Sequence, residues 1–139
     1  MDYFHLNVDR EQLLSMSSLG LAHLGDGVFE VMVRSWIALH GKAKPKDLHR
    51  ATVTYVSAPA QAAAMERLPQ LSEEEADVYR RGRNTAPHSV PKAASRAQYQ
   101  AATGLEALFG WLYLQGRTQR LNELFEIVMK EEEEEKECR

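Results

Sequence analysis

Asp26 lies in Leu24-Gly25-Asp26-Gly27-Val28-Phe29-Glu30, and Glu106 lies in Thr103-Gly104-Leu105-Glu106-Ala107-Leu108-Phe109-Gly110. Small and apolar residues flank both acids, and an ionised carboxylate in such surroundings is costly unless it is paired or binds a cation. Glycines bracket both, each weakening a helix by about 1 kcal/mol relative to alanine, so a close approach of another backbone or a ligand is expected there. Asp26 and Glu30 stand four apart and share one side of a helix. Two helices that each present a carboxylate to the other can hold a hard divalent cation such as Mg2+, which prefers oxygen ligands and keeps waters that a phosphate can replace. The chemistry that fits is phosphodiester hydrolysis. Spacing alone leaves a second reading open, in which a helix-spanning hydrogen bond or a salt bridge to an arginine satisfies these acids.

Other chemistries find less support. Cys138 is the only cysteine, so there is no intrachain disulfide and no thiolate metal cluster. The five histidines form no His-x-x-x-His or Glu-x-x-His pair suited to zinc. No Gly-x-Ser-x-Gly elbow and no Gly-x-x-x-x-Gly-Lys phosphate loop is present.

The chain of 139 residues is expected to form one domain. No apolar run approaches the roughly 18 residues of a membrane span, and the N-terminus does not resemble a secretory signal, so a cytoplasmic location is expected. Charge is unevenly spread: the net charge is −3, yet residues 34–96 carry eleven bases against six acids. A basic middle beside isolated carboxylates suggests a polyanion brought to a metal. Taken singly, each of these bases reads equally as part of a solvated helix face.

Apolar spacing of three and four residues predicts an all-α chain. A short helix near Asp9–Met16 precedes a long one that opens at Ser17 or Ser18 and stops at Gly41. After the basic loop 42–46, a helix is predicted over 47–55. Another follows, capped by Ser57, with Pro59 in its first turn. Ser72 and Glu75 form a capping box for a helix from Glu73 to about Arg81. The stretch 82–92 reads as a long functional loop. Ser95 caps a helix that runs to Gly116, and a final helix starts near Thr118 and frays into Glu131–Glu135.

These residues point to a family. Leu21-Ala22-His23-Leu24-Gly25-Asp26-Gly27-Val28-Phe29-Glu30 resembles the signature helix of ribonuclease III catalytic domains, and Leu105–Gly110 resembles their second acidic motif. The chain is most similar in pattern to the mini-ribonuclease III family. Leu48-His49-Arg50, Val56–Gln61, Arg80–Asn84 and Val90-Pro91-Lys92 appear in the family's order, and the resemblance covers about residues 15–128, followed by an acidic tail over 129–139. It implies a homodimeric, Mg2+-dependent endoribonuclease that cleaves double-stranded RNA and matures the ends of 23S ribosomal RNA precursor. A large-subunit ribosomal protein is a further partner compatible with that role. Asp26 and Glu106 would be the catalytic, metal-binding pair. The two further acids of full-length ribonuclease III are replaced by Ala22 and Thr103, as is usual in the mini family. With no separate double-stranded RNA-binding domain expected, the catalytic domain would grip an A-form helix itself. Its candidates for that are Lys42, Lys44, Lys46, His49, Arg50, Arg81, Arg83, Asn84 and Lys92. The rival reading is a non-catalytic helical RNA-binding or ribosome-assembly module, favoured by the loss of acids at Ala22 and Thr103 and opposed by the retention of Asp26 and Glu106.

Overall fold

The computed structural model describes residues 1–41, 43–68, 70–85 and 94–137, with side chains as far as Met129. Among the described residues the regular structure is wholly helical. The helices are α1 (Arg10–Leu14), α2 (Ser18–His40), α3 (Leu48–Val56), α4 (Ala58–Arg67), α5 (Glu73–Asn84), α6 (Arg96–Leu114) and α7 (Thr118–Glu137), with a 3-10 turn at Pro45–Asp47 before α3. None of them is long and apolar enough to cross a membrane.

Local chemistry sets most of the boundaries. Ser17 Oγ accepts from the Gly20 amide at 2.9 Å, and Gly41 closes α2 at φ 60°, where glycine meets no Cβ penalty. Ser57 caps α4 with proline in its first turn. Capping boxes open α5 (Ser72 with Glu75) and α6 (Ser95 with Gln98), the second of which the sequence reading took only as a serine cap.

Two boundaries differ from expectation. Gly82, Arg83 and Asn84 form the last turn of α5 and are not part of a loop. Gly82 is not a turn residue, because a Cβ there would stand 2.8 Å from the Ala107 Cβ and 3.1 Å from the Gly104 Cα. It lets α5 close onto α6. The backbone of α7 stays helical through Glu137, although Glu131–Glu135 was expected to fray. The predicted loop residues 86–92 lie outside the described residues.

Helix α6 is the centre of the fold. It is apolar on nearly every side, and Leu105, Leu108, Phe109 and Leu112 are all at most 1 % exposed, the pattern of a helix surrounded by others. Helices α2, α4 and α5 pack around it, and α7 packs against it as well. Phe29 of α2 meets Phe109 edge-on at 5.3 Å and Phe125 of α7 at 6.0 Å, so one aromatic cluster joins three helices.

A buried ion pair ties α7 to the start of α5. Arg120 donates to both carboxylate oxygens of Glu75, at 2.8 and 2.9 Å, and Glu75 is 1 % exposed. The guanidinium holds the Glu75 carboxyl below its ordinary range despite burial. Removing one partner strands the other charge, so Arg120→Ala should destabilise the domain by about 3 kcal/mol, measured by urea unfolding. An unchanged midpoint would show that solvent replaces the guanidinium freely.

Candidate active site

The site is built by two glycines that bring α2 against α6. A Cβ on Gly25 would lie 1.6 Å from the Glu106 carbonyl oxygen and 2.8 Å from the Gly110 amide nitrogen. A Cβ on Gly110 would lie 2.2 Å from the Leu21 carbonyl oxygen. The two backbones touch here, much closer than side chains ordinarily permit. Asp26 follows Gly25 on α2 and Glu106 precedes Gly110 by one turn of α6, so the contact sets their carboxyl groups side by side within hydrogen-bonding reach.

The two environments differ. Asp26 is exposed at the rim, a departure from the buried setting its apolar neighbours suggested, because Gly25 and Phe29 turn inward and leave Asp26 at the edge of α2. Glu106 is partly buried. Burial first, and then the hydrogen bond and like charge of Asp26, push its carboxyl up to about 9. Among the described residues no lysine or arginine offsets that charge, which disfavours a salt bridge to arginine as the reason for Glu106. Nor do three or more His, Cys, Asp or Glu side chains converge on a metal-binding group among those residues.

This proton has a consequence for stability. The folded chain holds it on Glu106 up to about 9, whereas the unfolded chain releases it near 4.5, so between those values the folded state binds more protons and loses stability as pH rises. Without divalent cation, Tm should therefore fall from pH 5 toward pH 9, and Glu106→Gln should flatten the fall, as followed by thermal circular dichroism. A profile identical in the variant would mean that Glu106 is not the group responsible.

The positions of the two missing acids are filled. Ala22 is 8 % exposed and packs in the core, and Thr103 is 6 % exposed with its hydroxyl donating to the Tyr99 carbonyl at 2.9 Å. Glu30, one turn beyond Asp26, pairs with Arg34 at 3.3 Å.

The Ribonuclease III domain family matches residues 19–117 of the chain. The Mini-ribonuclease 3 of Symbiobacterium thermophilum is 47% identical over 116 residues, which cover 83% of this chain and 89% of that one. The chain therefore belongs to the mini-ribonuclease III family. A Mini-ribonuclease 3 of Thermoanaerobacter is 42% identical over 126 residues, covering 90% and 89% of the two chains. The crystal structure of a Fusobacterium nucleatum protein superposes with a TM-score of 0.76 at 28% identity, covering 85% of this chain and 95% of that one. As a mini-ribonuclease III the chain is an endoribonuclease that acts on double-stranded RNA, and its wider family is metal-dependent.

The basic residues singled out for RNA fall into two groups. Lys44, Lys46, His49 and Arg50 are exposed on the 3-10 turn and the first turn of α3. Arg81, Arg83 and Asn84 occupy the last turn of α5. Arg81 is not a free cation there, because its Nε donates to Asp77 at 2.9 Å and Arg80 pairs with the same carboxylate. Arg83 and Asn84 are exposed. Lys42 and Lys92 lie outside the described residues.

Sequence reasoning treated Arg34 only as a packing partner for Glu30. Its position eight residues after Asp26, two steps of four along α2, sets it in one row with Asp26 and Glu30.

Proposed function

We propose that Asp26 and Glu106 are the catalytic pair of a Mg2+-dependent endoribonuclease that cleaves double-stranded RNA, with the ends of 23S ribosomal RNA precursor in the cytoplasm as its substrate. The observation that carries this is the glycine-built contact of α2 with α6, which forces two carboxyl groups together with no described base to offset them. Such a donor set fits a hard cation, because oxygen ligands suit it and its charge favours ionisation of Glu106.

When bound, the cation supplies Lewis acidity at the scissile phosphoryl oxygen. Asp26, exposed at the open rim, is the carboxylate that would face an incoming RNA strand. Glu106, partly buried on α6, would be the second oxygen ligand of the cation, held in its ionised form when the cation is bound. Water adds to phosphorus and releases one proton to solvent as one P–O ester bond breaks, and the departing oxygen takes one proton from solvent, so the hydrolysis is balanced. Purified protein with Mg2+ should cut a stem from the large-subunit ribosomal RNA precursor, with or without a ribosomal protein bound to it. Failure on every duplex offered would overturn the reading.

The same helix supports the homodimer. Beside the Asp26 edge, α2 presents Leu24, Gly27, Val28 and Val31 to a groove of about 450 Å³, with Phe4 and Leu121 on its far side. Val31 is 55 % exposed, and a Cβ on Gly27 would meet nothing within 4 Å, leaving room for a second backbone. Two copies joined here would carry their carboxylate edges on either side of one valley. Val31→Asp should convert a dimer to monomers in sedimentation at micromolar concentration; a dimer unaffected by it would place the interface elsewhere.

A further inference from the structure

Asp26, Glu30 and Arg34 stand four apart on α2 and run as a row along one side of it. At 1.5 Å per residue, Arg34 is about 12 Å along the helix axis from Asp26. There the row meets a groove of about 410 Å³ between α2 and α3, lined by Arg34, Ile37, Ala38, Leu48, His49 and Thr52. We infer that this groove seats the backbone of one RNA strand beside the cleavage site, with Arg34 and His49 as its phosphate ligands. The inference rests on duplex RNA as substrate.

Three observations favour that occupant. The groove has cationic or potentially cationic groups on both walls, Arg34 from α2 and His49 from α3, and no carboxylate among its described lining residues. The Thr52 hydroxyl is turned back onto the Leu48 carbonyl at 2.9 Å, which leaves the guanidinium and the imidazole as the side-chain donors among the groove's described residues. The groove also begins at Arg34, the next residue at four-residue spacing after Asp26 and Glu30. A strand whose scissile phosphate lies at Asp26 and Glu106 therefore brings a phosphate a few nucleotides away to Arg34. Lys44, Lys46 and Arg50, exposed on the adjoining turn and helix, add to the positive field.

The pair between Arg34 and Glu30 does not obstruct this. The Arg34 side chain is 63% exposed and the Glu30 side chain 41%, and an ion pair so open to water contributes little. Arg34 can exchange Glu30 for a phosphate oxygen, to which the guanidinium fork offers a bidentate fit.

The test is binding of a long RNA duplex in chelator, where no cutting occurs, across a range of salt. Arg34→Ala and His49→Ala should each weaken binding about tenfold, and Arg34→Ala should also lower the slope of log K against log salt by about 0.9. Arg34→Lys should keep the slope, since it keeps the charge. In wild type, neutralising single phosphates as methylphosphonates should reveal one sensitive position a few nucleotides from the cut, and Arg34→Ala should be blind to that position. A wild-type slope in Arg34→Ala, or the same methylphosphonate profile in both proteins, overturns the groove assignment alone. Wild-type protein that binds duplex no better than single strands overturns the duplex substrate, and this inference with it.

Discussion

Gly25→Ala should destabilise the domain by about 3 kcal/mol and lower duplex cleavage about a hundredfold beyond any loss of folded protein. The added methyl carbon would stand 1.6 Å from the Glu106 carbonyl oxygen. No rotamer change relieves this, because the atom it meets belongs to the α6 backbone. The helices must separate, and the separation acts on the pair of carboxyl groups that the contact sets side by side. Gly110→Ala presses on the Leu21 carbonyl from the other helix and should do the same. Gly27→Ala separates the two faces of α2: its Cβ meets nothing within 4 Å of the same chain, so it should spare the contact with α6, and any loss it causes belongs to the second copy proposed at the groove it lines. Urea unfolding of the three variants, with cleavage rates corrected for folded fraction, separates these effects. A Gly25→Ala protein as stable and active as wild type would show that α2 and α6 need not touch.

Asp26→Asn should abolish cleavage and leave the fold intact. The amide keeps the size of the carboxylate and sits on an exposed rim, so it disturbs no core contact. What it removes is one of two anionic oxygen donors for the cation, whose stabilisation of the transition state is worth several kcal/mol, a loss of about 10³-fold in rate. The variant should also release Glu106 from a like-charged neighbour. Circular dichroism and duplex binding should match wild type. Cleavage at the wild-type rate would remove Asp26 from the mechanism.

The sequence displayed much of this architecture because its signals were local. Ser17, Ser57, Ser72 and Ser95 are caps that act within one turn, and each starts the helix assigned to it. The glycines around Asp26 and Glu106 signalled a close approach, and Gly25 and Gly110 supply it. What was not legible depends on partners distant in the chain. Gly82 reads as a loop residue until Ala107 and Gly104 are seen beneath it. The Glu75 side chain reads as a cap for its own helix, yet it is also the buried partner of Arg120, forty-five residues away. The exposure of Asp26 and burial of Glu106 depend on how α2 lies across α6, which periodicity does not specify. Arg34 appears as an ordinary helical cation until α3 closes a groove against it.

The most direct measurement is cleavage of one labelled RNA, as duplex and as single strand, by wild-type protein and Asp26→Asn, in Mg2+ and in chelator. Wild type should cut the duplex in Mg2+ alone, with no cutting of the single strand and none by the variant. Metal-independent cutting, or cutting by Asp26→Asn, would contradict the claim that the carboxyl pair between α2 and α6 holds the catalytic cation.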